Sequence, residues 1–167
     1  MRSHGVRDYE LAYNAAGILE HDAPPEALIR SASEAQVIAA SDLSRAIASA
    51  ERLAPGREVM VSPLLREIDL EPPHWIPLRL PIGVWDGFSY LQWSYRLLAR
   101  RDHEYVRRAD EAAGWLIARA GRSETVLAVT HGGFRRIVAQ RLAVKGWMPA
   151  AGRRSYANWS VWSYDSP

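Results

Sequence analysis

Two stretches of this chain share one pattern: a short apolar run, a small polar residue, and then a helical repeat with no spacer. Residues 36–41, QVIAAS, run into DLSRAIASAERL, and residues 125–130, TVLAVT, run into HGGFRRIVAQRL. An apolar run of four to six residues that turns directly into a 3.6-residue period is a strand feeding a helix. Strands and helices in alternation have few stable solutions, and the common one is a parallel sheet with helices packed on both faces. The runs VIAA and TVLAV are continuous rather than alternating, as expected for strands covered on both sides. The expected fold is therefore α/β: a three-layer sandwich with a largely parallel central sheet.

The rest of the chain fits that plan. VRDYELAYNAAG reads as a short helix closed by Gly17, and HDAPPEALIRSASEA as a helix begun by two prolines. In the helix after QVIAAS, Asp42 stands at the N-terminal edge, and Leu43, Ile47, Ala50 and Leu53 share a face. REVMVSP is a second strand, stopped by Pro63. A proline-rich excursion follows, with Trp75, Trp85 and Trp93 in or near it as packing residues or as the walls of a substrate entrance. FSYLQWSYRLLAR reads as a helix, and DHEYVRRADEAAGWLIARA as a stronger one whose apolar stripe includes Tyr105, Ala109, Ala112, Ala113 and Leu116. SYANWSVWSYD, aromatic and partly alternating, suits a last strand. With 167 residues, 48% of them hydrophobic, one domain spanning 1–167 is expected.

Composition excludes several classes. A net charge of +2 gives no case for nucleic acid or an anionic membrane surface. No apolar run approaches the length of a membrane span, and the N-terminus lacks the apolar core of a signal peptide. The absence of cysteine removes disulfides, thiolate metal sites and cysteine nucleophiles, and fits a reducing, cytoplasmic setting. Gly-x-Gly-x-x-Gly, Walker A, His-Glu-x-x-His and Gly-x-Ser-x-Gly patterns do not occur, so neither a cofactor nor a metal is expected.

Ligands of open α/β sheets collect beyond the carboxyl ends of the strands. Both strand-to-helix junctions carry polar residues there: Ser41, Asp42 and Arg45 at one, and Thr130, His131, Gly132 and Gly133 at the other. A helix N-terminus offers unpaired N–H groups and positive partial charge, and the two glycines put no side chain in a ligand's way. An arginine, an imidazole and two helix N-termini make a pocket suited to phosphate. Glu67, in LLREIDL just beyond the second strand, brings a carboxyl group towards the same edge.

In these three places the sequence resembles the histidine phosphatase superfamily, in its phosphoglycerate-mutase-like branch. VIAASDLSRAIASAERL is similar to that family's strand followed by Ser-Asp-Leu-x-Arg-Ala, LLREIDL to its Leu-x-Glu block, and TVLAVTHGGFRRIVAQRL to its Val-x-His-Gly-Gly block. Together they cover about a quarter of the chain, in family order. The resemblance implies a phosphoglycerate-mutase-like fold. It implies hydrolysis of phosphomonoesters through a phosphohistidine, with Arg45 and His131 about the phosphate and Glu67 or a neighbour as candidate proton donor; Gly132 and Ser41, at the same two junctions, complete the expected phosphate site. The substrate class it implies is a phosphorylated small molecule or a phosphoprotein.

The front of the chain departs from this pattern. Family members carry Arg-His-Gly at the end of a first, central strand, and that histidine becomes phosphorylated. Here MRSHG places a serine between Arg2 and His4, with only three residues before His4. Asn14 lies ten residues beyond His4, further than the family's asparagine. The expectation is a domain N-terminally truncated or degenerate, lacking the nucleophile strand, with His4 and Arg2 as the alternative nucleophile and phosphate ligand. Without that strand TVLAVT has an unpaired edge, which could pair with another chain as a homo-oligomer. Two functions follow: an active histidine phosphatase, or a catalytically inactive module of the same fold that binds an anionic ligand or a protein partner.

Overall fold

The structure is a computed structural model that describes residues 12–69, 81, 83–85, 87–88, 91–92, 94, 103–121, 124–151 and 154–167. Arg2, His4, Trp75 and Trp93 lie outside the described residues, as does most of the proline-rich excursion.

After a helical turn at 12–15, the described elements are α1 (Glu26–Glu34), β1 (Val37–Ser41), α2 (Ser44–Leu53), β2 (Val59–Ser62), a 3-10 turn (Pro63–Leu65), α3 (His103–Ala120), β3 (Val126–Val129), α4 (Gly132–Val144), β4 (Met148–Pro149) and β5 (Tyr164–Asp165). Three strands form a sheet in the order β2-β1-β3, and both pairings are parallel. Ala39 of β1 sits level with Met60 on one side and Ala128 on the other.

Alternate residues of the sheet feed two cores, as the two-residue period of a strand requires. Ile38 and Ala40 pack with Leu28 and Ala32 of α1 and Ala50 and Leu53 of α2. Ala39 faces the other way, towards Ala109, Ala112 and Ala113 of α3 and Phe134 and Ile137 of α4. The three alanines, all fully buried, let α3 and α4 approach closely. The molecule is thus three-layered and α/β, with α1 and α2 on one face and α3 and α4 on the other.

This arrangement follows from the order of the strands. The chain goes from β1 outward to β2, then back over β1 to β3. Crossovers between parallel strands are right-handed almost without exception, so reversing the direction of travel moves the crossover helix to the opposite face. α2, the crossover from β1, and α3, the crossover into β3, consequently lie on opposite faces, and α4, which follows β3, packs on the side of α3. That divergence opens a crevice at the carboxyl rim between them, the usual ligand position in such sheets.

Several expectations need adjustment. β3 is half-buried at all four positions rather than buried, because among the described residues it is an edge strand, paired only with β1. On α2 the buried position is Ala46 rather than Ile47. Gly17 does not adopt the left-handed conformation of a helix-closing glycine, whereas Gly121, just after α3, does (φ 51°). The final segment yields only two strand residues, Tyr164 and Asp165, antiparallel to Met148 and Pro149. Trp85 is fully buried.

Candidate active site

The site is built at the rim where β1 and β3 end. β1 finishes at Ser41, which is fully buried and accepts a hydrogen bond from the Leu43 N–H (3.3 Å), shaping the turn into α2. That turn sets Arg45 in the first turn of α2. The Arg45 guanidinium donates from Nη1 to Asn14 Oδ1 (2.9 Å) and to the Tyr13 carbonyl (3.4 Å), and lies 4.5 Å above the centre of the Tyr13 ring. Across the rim, β3 ends at Val129, Thr130 Oγ1 donates to the Leu65 carbonyl (2.8 Å), and His131 occupies the residue before α4 in extended conformation.

His131 is the most informative side chain. It is 8% exposed, and its Nε2 is buried with no hydrogen-bond partner among the described residues. Buried polar atoms almost always find a partner, so an orphaned imidazole nitrogen at a rim is a position for a ligand atom. Burial, and next to it the positive charge of Arg45, push its pKa down from 6.5 to about 4; Arg108 pushes the same way and Asp42 opposes them. At neutral pH the ring is uncharged, with one nitrogen to donate and one to accept.

Arg45, Glu67, His131 and Gly132 are among the residues that line a wide cavity of about 1270 Å³, which continues along β3, an edge strand among the described residues, past Val126, Leu127, Ala128 and Val129. Glu67 bonds the amides of Gly133 and Phe134 just beyond His131, and the Arg45 charge acts on the His131 ring, so Arg45, His131, Gly132 and Glu67 of the sequence-derived set lie at one rim. Ser41 is not part of that lining and acts on the backbone turn instead. Asp42 does not cap α2, whose N-terminus has no side-chain cap; it takes a two-pronged grip from Arg66 (Nε to Oδ1 2.9 Å, Nη2 to Oδ2 2.6 Å).

Glu67 is engaged with α4. Its Oε1 accepts from the amides of Phe134 (2.8 Å) and Ile68 (3.0 Å), and its Oε2 from that of Gly133 (3.3 Å). The amides of the α4 N-terminus that the sequence offered to a ligand are thus largely taken by the protein's own carboxylate. The two glycines divide the work. A Cβ on Gly133 would stand 2.8 Å from Ile68 Cδ1 and 3.0 Å from Glu67 Oε1, whereas one on Gly132 would meet nothing within 4 Å. Gly133 makes room for Glu67, and Gly132 leaves the cavity side open.

Two residues enter the site that sequence reasoning passed over. Asn14 holds the Arg45 guanidinium, and its spacing from His4 is what concealed it. Arg108, on α3, donates from Nη2 to the carbonyls of Arg66 (2.9 Å) and Glu67 (3.1 Å) and lies 4.3 Å above the Phe134 ring. Nothing in its helical repeat marks it, because its partners are carbonyl groups of a distant loop. Among the described residues no group of three histidine, cysteine or acidic side chains is arranged to hold a metal.

The family model for the histidine phosphatase superfamily (branch 1) matches residues 4–166. The chain belongs to that superfamily. Two solved structures are similar to this chain, both from Entamoeba histolytica. One is a phosphoserine phosphatase mutant in complex with phosphoserine (17% identity, TM-score 0.47). The other is phosphoserine phosphatase in complex with 3-phosphoglyceric acid (16% identity, TM-score 0.46). Each comparison covers 82% of this chain and 75% of the other. No curated protein matches the chain. Among the described residues no helix is long and apolar enough to cross a membrane.

Proposed function

We propose that this chain binds the phosphoryl group of a small phosphomonoester between Arg45 and His131 and hydrolyses it through a phosphohistidine. The observation that carries the reading is the buried Nε2 of His131, unpartnered among the described residues, in the cavity it shares with Arg45. The guanidinium supplies fixed positive charge and a planar pair of donors, and the neutral imidazole supplies an N–H to a phosphoryl oxygen. Both stabilise charge that spreads over the oxygens as the phosphoryl group moves. The nucleophile in this reading is an imidazole nitrogen of His4, with Arg2 as a further phosphate ligand. Its lone pair forms the P–N bond as the P–O ester bond breaks, the leaving oxygen takes up a proton, and water then attacks phosphorus and releases phosphate.

A second reading has its own observation. A serine interrupts Arg2 and His4, and among the described residues His131 is the only histidine lining the cavity. With no nucleophile in reach, the same pocket would bind phosphate or an anionic partner without turnover. Turnover of p-nitrophenyl phosphate, lost on His4→Ala and on Arg45→Ala, supports the enzyme. Protection by phosphate against thermal unfolding that Arg45→Ala removes, with no turnover in the wild type, supports the binding module. Absence of both effects ends the phosphatase reading.

A further inference from the structure

Arg135 stands on α4 directly after the His131 turn. Its amide donates to the His131 carbonyl (2.9 Å), which sets it one helical turn, about 5.4 Å, further along the same helix. Both terminal nitrogens of its guanidinium are committed to the C-terminal segment. Nη1 donates to the Ser160 carbonyl (2.8 Å) and Nη2 to the Ser155 carbonyl (3.0 Å), and both reach Ser160 Oγ (3.2 and 3.3 Å). The group also lies 4.4 Å from the centre of the Trp162 ring. All of these partners are neutral. Arg66 and Arg141 each have a carboxylate beside them, whereas among the described residues Arg135 has none.

A second guanidinium attends the same ring. Arg154 lies 5.1 Å from the Trp162 centre and 5.7 Å from that of Tyr164. It is exposed, and among the described residues it makes neither a hydrogen bond nor an ion pair. Aromatic faces hold a guanidinium but give no lone pair to its five N–H donors. Two positive charges gathered on one ring also repel unless an anion offsets them.

Tyr164 supplies an independent observation. Its hydroxyl oxygen is buried with no hydrogen-bond partner among the described residues, and Tyr164, Trp162, Tyr156 and Arg135 line the cavity that holds His131. Buried polar atoms almost always find a partner, so an orphaned hydroxyl in a cavity wall points to a ligand. Burial raises the Tyr164 pKa above 10, with Arg154 and Arg135 acting against it, so the group keeps its proton at neutral pH and donates.

We propose that Arg154 and Tyr164, beside the Trp162 ring and the fixed charge of Arg135, form a second anion subsite that takes a carboxylate or phosphate group carried on the alcohol part of the substrate. The Arg154 guanidinium and the Tyr164 hydroxyl are its donors. The inference rests on the phosphatase reading for the other end of the substrate, and narrows the substrate to phosphomonoesters with a second acidic group.

The test uses the full chain with three probes that share a ring and differ in its second group: phenyl phosphate, 4-carboxyphenyl phosphate and 1,4-phenylene bisphosphate. The readouts are kcat and KM, and the NMR signal of the Trp162 indole N–H, which donates to the Ser155 carbonyl (3.0 Å) and reports binding without turnover. Arg154→Ala should lower kcat/KM about tenfold, through KM, on a probe with the second acid and stay within about twofold of wild type on phenyl phosphate. Tyr164→Phe should give the same pattern at about threefold. Arg30→Ala, which removes an exposed charge from α1, should change neither. Arg135 is left intact because its bonds hold residues 155–160 in place.

A selective loss on the carboxylate probe, on the bisphosphate or on both supports the subsite and names the group it takes. Equal losses on all three probes would make Arg154 a contributor to the general field of the cavity and overturn the subsite, as would wild-type constants in both variants. A wild type that turns over none of the probes defeats the enzyme reading instead. The Trp162 signal then decides the subsite: a response to a probe with the second acid but not to phenyl phosphate, lost in Arg154→Ala, sustains it, and no response in the wild type overturns it.

Discussion

Replacing His131 by glutamine should flatten the acid side of this protein's stability curve. The imidazole is 8% exposed, and burial together with Arg45 lowers its pKa from 6.5 to about 4. In the unfolded chain the ring titrates near 6.5, so below that pH the unfolded state binds the extra proton and the folded state resists it. The stability associated with the neutral ring is complete above the unfolded value and is lost as pH falls from there through the folded value. Each tenfold difference in proton affinity between the two states is worth about 1.4 kcal/mol, which gives a loss of about 1.4 kcal/mol at about pH 5.5 and about 2.6 kcal/mol at about pH 4.5. Glutamine does not titrate and keeps polar atoms in the same place. Urea unfolding of wild type and His131→Gln at about pH 7.5, 5.5 and 4.5 isolates the effect, because the other titrating groups cancel in the difference. The stability difference between the two proteins should shift in favour of the variant by those amounts. Parallel curves across the range would refute the buried, neutral imidazole.

Other predictions follow from packing and pairing. Phe134→Ala, which empties a fully buried site facing α3, should cost about 3–5 kcal/mol in chemical denaturation. Trp159 stands in the left-handed region (φ 57°) and donates from Nε1 to Asp22 Oδ1 (2.8 Å), joining the C-terminal segment to the loop before α1. Asp22→Ala should therefore destabilise by about 1–2 kcal/mol and speed proteolytic cleavage within residues 154–163. Arg66→Ala breaks a partly exposed pair, so its direct cost should be at most about 1 kcal/mol and should shrink in high salt.

The layers of the fold were legible because periodicity speaks directly of burial. The continuous apolar run of β1, covered on both faces, and the alanine stripe of α3 point to the cores they occupy. The exposure of β3 was not legible in TVLAV itself, since an apolar run does not say which strands will lie beside it. Arg45, His131 and Gly132 were singled out because strand-to-helix junctions place residues at one rim by topology alone, and all three line the cavity. The partners were concealed for a different reason. Glu67 on the α4 amides, Arg108 on two carbonyls and Asp42 with Arg66 are contacts between loops and main chain or between distant side chains, and no spacing rule reports them. Ser41 stood where a phosphate ligand would stand, but its burial and its bond to Leu43 make it part of the turn.

The central claim is that Arg45 and His131 serve one oxyanion. Titration of inorganic phosphate, followed through the imidazole nitrogen signals of His131 by NMR in wild type and in Arg45→Ala, addresses it most directly. The account predicts saturable shifts of the His131 signals, moving towards the protonated ring as bound negative charge offsets that of Arg45, and their loss in Arg45→Ala. Signals that do not respond to phosphate, or that respond equally in the variant, would contradict it.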